Sequence, residues 1–180
     1  MKTIQLFFIT TILFTISANS QITKGNWLVG GNASFSYSKY ENSEGTDNNQ
    51  GNYLTITPNL GYFIKTNFVT GLQLSFSHAH RNGNTSTGFG YGGGPFVRYY
   101  FMKPEKLVNF LLEANYSYYT ESKANSFNNN YGFKTGPVIF FNSSVGLEIL
   151  ASYNSSFISS GGYDLKEIKF GFGLQIHLEK

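Results

Sequence analysis

The stretch SFSHAHRN holds the residues whose types and spacing suit chemistry best. His78 and His80 lie two positions apart, which on an extended strand places both on one face. Two imidazoles make a metal site only with further ligands. Glu41, Glu44 and Asp47 are the carboxylates able to approach, and only if their segment ends at the same rim. A hydrolase reading needs a nucleophile within hydrogen-bond reach of its base and an acid to orient that base. Ser77 falls on the face opposite His78, and no carboxylate shares the His78 face of that strand. The pair therefore reads as interfacial residues near a strand end, with no catalytic, metal or cofactor role. The run GFGYGGGP lacks the Lys-Ser/Thr ending of a phosphate loop. Glycine at such positions instead marks a bend or a close backbone approach. The sequons at Asn84 and Asn154 are short, common patterns that carry little weight.

The elements that would position these residues are strands. From Trp27 onward the chain alternates with a period of two. The segments 27–40, 53–64, 68–80, 89–101, 108–119, 131–141, 145–154 and 167–178 each carry large apolar residues at one parity. In 68–80, Leu72, Leu74 and Phe76 oppose Gln73, Ser75 and Ser77; in 167–178, Ile168, Phe170, Phe172, Leu174 and Ile176 oppose Glu167, Lys169 and Gln175. Eight strands result, longer than the five or six residues common in globular proteins (about 5–6 on average). The links alternate too. ENSEGTDNNQ, RNGNTSTG, ESKANSFNNN and SSFISSGGYD are long and polar, whereas 65–67, KPEK and 142–144 are short. Long and short links along an even number of strands predict an all-β, eight-stranded antiparallel up-and-down barrel with short turns at one rim and long loops at the other.

Volume decides which face points in. An eight-stranded barrel has an interior just wide enough for side chains to fill. Several rings per strand, eight times over, overfill it, while Gly, Ser, Thr and Asn fit. The rings therefore face out, and outside is lipid. The expectation is a transmembrane barrel, its closure removing the sheet edges that lipid does not tolerate.

Parity then places the charges. In GPFVRYYFM, Arg98 shares the parity of the inward glycines. Glu113, Lys134, Glu148, Glu167 and Lys169 also point inward, three cations against three anions. Arg98 is predicted to pair with Glu113 on the next strand, within a lumen charge network of all six that plugs the barrel. Buried charges are tolerated only when paired and hydrogen-bonded.

Residues 1–20 read as a cleaved signal peptide. Lys2 supplies the positive start, Leu6 to Ile16 the apolar run, and Ala18-Asn19-Ser20 the small-residue site before Gln21. The run is too short to span a bilayer, which takes about 20 apolar residues. The barrel domain is then 21–180. Without Lys2 it carries 12 basic and 10 acidic residues, a net +2. That charge, with no basic patch, excludes nucleic acid as a partner. There is no cysteine, so the fold relies on its hydrogen bonds and surroundings rather than disulfides.

The stretches TPNLGYFIKTNFVTGLQLSF, GGGPFVRYYF and LLEANYSYY resemble the small eight-stranded outer-membrane barrels of Gram-negative bacteria, similar to the OmpA and OmpX transmembrane domains. The first reads as strand, tight turn, strand; the others carry the inward Arg98 and Glu113. The resemblance covers essentially the whole of 21–180. It implies outer-membrane localisation, with lipopolysaccharide and phospholipid around the barrel, insertion by the barrel assembly machinery, and a monomer. Many members end in phenylalanine, whereas this chain ends Leu178-Glu179-Lys180, which implies a variant assembly signal.

Three functions are weighed. The first is a structural or surface-interaction role, with polar loops meeting external partners. The second is a narrow pore for ions or small solutes, favoured by the local space that the glycine-lined inner face of the fourth strand, Gly90, Gly92 and Gly94, leaves. The third follows from the resemblance, since some such barrels are lipid A-modifying enzymes; the misplaced serine and histidine faces argue against it.

Overall fold

The computed structural model describes residues 22–41, 48–82, 88–121, 124–158 and 163–179. The leader 1–20, Glu44, Asp47 and Asn84 lie outside them. Eight antiparallel strands close into a barrel: β1 (Trp27–Glu41), β2 (Asn48–Lys65), β3 (Phe68–Asn82), β4 (Gly88–Tyr100), β5 (Val108–Glu121), β6 (Ala124–Phe140), β7 (Val145–Ile158) and β8 (Tyr163–Leu178). Each strand pairs with its neighbours in sequence, and β8 closes on β1.

The register fixes the tilt. From Leu28 the pairing runs through Gly61, Gly71, Phe96, Asn115, Gly132 and Asn154 to Glu167. Leu28 itself pairs with His177. Once round the barrel the register has therefore moved ten residues, 177 less 167. Such a stagger requires strongly tilted strands, and it sets the width of the interior.

The short turns are built from asparagines. Asn67 sits at φ 68°, a left-handed conformation that Asn tolerates better than most residues. Its side-chain amide donates to the Met102 carbonyl at 3.0 Å, and its carbonyl accepts from the Tyr100 amide at 2.9 Å. Asn109 Oδ1 accepts from the Met102 and Phe110 amides at 2.9 and 2.8 Å. Asn142 Oδ1 accepts from the Ser144 and Val145 amides, both at 2.8 Å, an Asx turn that starts β7. At this end residues 22–26 fold back. The Asn67 amide donates to the Ile22 carbonyl at 2.9 Å, and the Phe63 amide to the Asn26 carbonyl at 2.9 Å.

At the other end the strands run further than alternation predicts. The strands are 13 to 18 residues long. The segment expected as the polar loop ESKANSFNNN begins β6 at Ala124, pairing Thr120 with Phe127 and Asn128 with Tyr119. Likewise β2 starts at Asn48 and β7 continues to Ile158. Residues beyond a buried face need no apolar alternation, because the backbone ladder continues with polar residues on both sides. The ladder thus extends through polar sequence that reads as loop.

The exterior carries the rings. Leu72, Phe170, Ile168 and Phe172 are between 65 % and 73 % exposed, within a band that includes Leu54, Leu60, Leu74, Phe133 and Phe157. A continuous apolar surface of this extent suits lipid and not water. Near the short turns Trp27 and Tyr62 meet edge to face at 5.1 Å.

Candidate functional site

The site is the lumen, and it is layered. Its middle layer holds Arg98, which is 1 % exposed. Arg98 Nε and Nη2 donate to Glu113 Oε2 at 3.0 and 2.7 Å. Its Nη1 donates to Glu148 Oε1 at 2.6 Å and to the Tyr100 hydroxyl at 3.1 Å. Lys134 Nζ lies 2.9 Å from Glu113 Oε1 and donates to Gln73 Oε1 at 3.2 Å. Gln175 Nε2 donates to Glu148 Oε2 at 3.3 Å. Two cations and two anions thus neutralise one another across four strands. The guanidinium also lies over the Phe96 and Tyr100 rings, 5.7 and 5.9 Å from their centroids, a favourable arrangement for a weakly hydrated cation.

The Arg98–Glu113 pair forms as parity predicts, because the two residues are direct cross-strand partners. The six-residue network does not form as one unit. Glu167 and Lys169 pair with each other, Oε2 to Nζ at 2.8 Å, two residues apart on β8. The ten-residue stagger explains the separation: inward parity assigns a face but not a height. On β8 it is Gln175 and His177 that lie near the central layer and below it.

Beneath the cluster, toward the short turns, the lumen is apolar. Leu28, Phe63, Val69, Phe96, Leu111, Val138 and Phe140 are buried, and Ile22 of the folded-back segment joins them. His177 sits among the rings of Phe63, Tyr100 and Phe140, at centroid distances of 5.8, 6.2 and 5.4 Å. Alternation alone predicts small polar residues throughout the interior, and this half departs from it. The signal was in the sequence: GYFIK, RYYF, NFLL and VIFF are apolar at both parities. Burying each such side chain contributes about 1.5–3 kcal/mol.

Above the cluster, toward the long-loop end, lies a cavity of about 330 Å³. Its walls carry hydroxyls and amides, including Ser34, Thr55, Ser75, Asn115, Ser117 and Asn154. The space expected beside the β4 glycines is instead filled by β5. A methyl group on Gly92 would meet the Tyr119 Cα at 2.9 Å, and one on Gly94 would collide with the Tyr116 carbonyl. These glycines let two backbones approach closely. At Gly90 the missing side chain lets the Tyr119 ring lie flat, so that its hydroxyl hydrogen-bonds Ser77.

That contact bears on the first chemistry considered. Ser77 points into the lumen, while His78 is exposed on the outer face between Leu54 and Phe89. The two side chains are on opposite sides of the wall. Among the described residues no three His, Asp or Glu side chains cluster as metal ligands. The side chains of His80 and Glu41 lie outside the described residues.

A closed, ten-residue-staggered barrel with rings outside and polar groups inside can be compared with solved structures. Neisserial surface protein A superposes with a TM-score of 0.60 at 16 % identity, over 87 % of this chain and 98 % of that one. The outer membrane protein OprG from Pseudomonas aeruginosa superposes with a TM-score of 0.54 at 10 % identity, over 88 % and 98 %. The fold is that of the small eight-stranded outer-membrane barrels. No family model matches the sequence, and no curated protein does. At these identities the likeness is one of fold; any role rests on the lumen and the surface of this chain.

Proposed function

We propose that the protein is an integral outer-membrane barrel with a structural and surface-interaction role. In this reading residues 1–20 are removed on export, the barrel stands as a monomer in lipopolysaccharide and phospholipid, and the long-loop end faces outward. The lumen has no through-path, and the chain performs no catalysis. The observation that carries this reading is the layering of the lumen. A neutralised Arg98–Glu113–Lys134–Glu148 cluster lies on a bed of buried rings and aliphatics closed from below by Ile22. Solutes crossing such a barrel must break both layers.

The test has two parts. Outer membranes are run on an SDS gel with and without boiling, since closed membrane barrels resist SDS until heated. A heat-dependent mobility shift of a band of the mature size supports export and closure; a band in the soluble periplasm would sink the reading. The folded protein is then placed in planar bilayers. Silence supports the closed lumen. Steady conductance steps favour the pore instead, the reading that the open cavity above the cluster lends some support.

A further inference from the structure

The cavity above the cluster is enclosed by a chemistry more selective than a generic polar interior. Among its described lining residues three are charged, Lys134, Glu167 and Lys169. Each is already engaged: Lys134 with Glu113 at 2.9 Å, and Lys169 with Glu167 at 2.8 Å. An ionic ligand therefore meets no uncompensated charge among these residues, and its desolvation goes unrewarded. An aliphatic ligand fares no better, since Leu150 is the one aliphatic side chain of appreciable size on the described wall. What remains is an array of neutral donors and acceptors, with the Tyr53 and Tyr119 rings beside them.

Several of those groups lack partners. Asn32 Nδ2, Asn128 Oδ1 and Asn130 Oδ1 are buried atoms without a hydrogen bond in the protein, and all three residues line the cavity. Buried amides ordinarily find a partner. A further pair converges where a glycine leaves the wall without a side chain. A methyl group at Gly132 would stand 2.6 Å from Asn115 Oδ1 and 2.6 Å from Asn154 Oδ1. Gly132 thus lets the two amides close together over the wall, and both Asn115 and Asn154 line the cavity.

We propose that this vestibule binds a neutral carbohydrate of one or two sugar units. Vicinal hydroxyls both donate and accept, and so match amide side chains set close together. A sugar's C–H face stacks on a tyrosine ring. Small-molecule pockets start at roughly 300 Å³, and a cavity of about 330 Å³ admits such a ligand. The proposal rests on the reading of an outward-facing vestibule closed below.

The experiment uses the full chain folded in a detergent without a sugar headgroup, because a glucoside or maltoside would compete. Glucose, galactose, sucrose and maltose are titrated by ligand-observed NMR and calorimetry, with glucuronate and glucose 6-phosphate as charged counterparts. Saturable binding of at least one neutral sugar is expected, with the charged counterparts weaker by tenfold or more. Ser75→Leu, which narrows the cavity, is expected to weaken binding more than tenfold while the heat-dependent gel shift is kept. Should Ser75→Leu fail to fold, Ser117→Leu, which narrows the same cavity, carries the comparison. No saturable binding of any neutral sugar overturns the proposal and leaves a water-filled vestibule. Preference for the charged sugars, or binding unchanged in every folded variant, overturns it too. Loss of the gel shift in the wild type would instead strike at the barrel reading, so the two failures are distinguishable.

Discussion

Removal of Arg98 is the sharpest test of the central cluster. Arg98→Met keeps much of the volume and deletes the charge. Glu113 then retains Lys134 at 2.9 Å, but Glu148 keeps only the Gln175 amide, at 3.3 Å, among the polar contacts seen for it. Glu148 is fully buried, so it becomes an uncompensated carboxylate. Breaking a buried pair by deleting one partner costs about 3–5 kcal/mol. With a urea slope of about 1–3 kcal/mol per molar, the unfolding midpoint in lipid vesicles falls by about 1 M or more. The double variant Arg98→Met with Glu148→Gln removes the stranded charge as well and leaves Glu113–Lys134 intact. It is expected to recover most of the loss, because a well-packed neutral replacement of a buried ion pair is often close to neutral. Both variants are followed by urea titration of the heat-dependent gel shift. The reasoning fails if the single variant costs under about 1 kcal/mol, or if the double variant is no more stable than the single one.

Further predictions address the other layers. Phe63→Ala opens a void between Tyr100 and His177 and is expected to cost about 3–5 kcal/mol by the same titration. Gly94→Ala drives a methyl group into the Tyr116 carbonyl and should abolish the gel shift. Gly132→Ala meets side-chain oxygens that can swing aside and should retain it. Leu74→Arg, on the exposed outer face, is expected to cost about 2–4 kcal/mol if it lies near the bilayer midplane. A vesicle-folding assay that showed no cost would refute the lipid-facing assignment.

The layering also explains a choice that looks wasteful. A barrel could close its lumen with hydrophobic side chains alone, and the lower half does so. The charged layer sits where the apolar bed meets the polar vestibule. There Arg98 lays its ring-facing surface on Phe96 and Tyr100 and directs its donors to Glu113 and Glu148. Its fixed fork of donors satisfies two carboxylates on separate strands, which a lysine could not reproduce.

Strand number, the alternation of short and long links, and the outward rings follow from the sequence, because a two-residue period on a closed sheet assigns each side chain to one of two faces. The pairing of Arg98 with Glu113 follows as well, from inward parity on adjacent strands whose register the short turn between them fixes. Three things needed the tertiary structure. The height of each inward residue depends on the ten-residue stagger, which separates Glu167 and Lys169 from the central cluster and brings Gln73 and Gln175 to it. The extension of β6 through Ala124–Asn130 depends on a ladder whose hydrogen bonds are blind to side-chain polarity. The glycine face of β4 reads as open space in one dimension, but it is occupied because β5 and Tyr119 press against it. Parity is a local property of the chain and can be read along it; height, ladder length and void volume come from the closure of the barrel, which joins residues far apart in sequence.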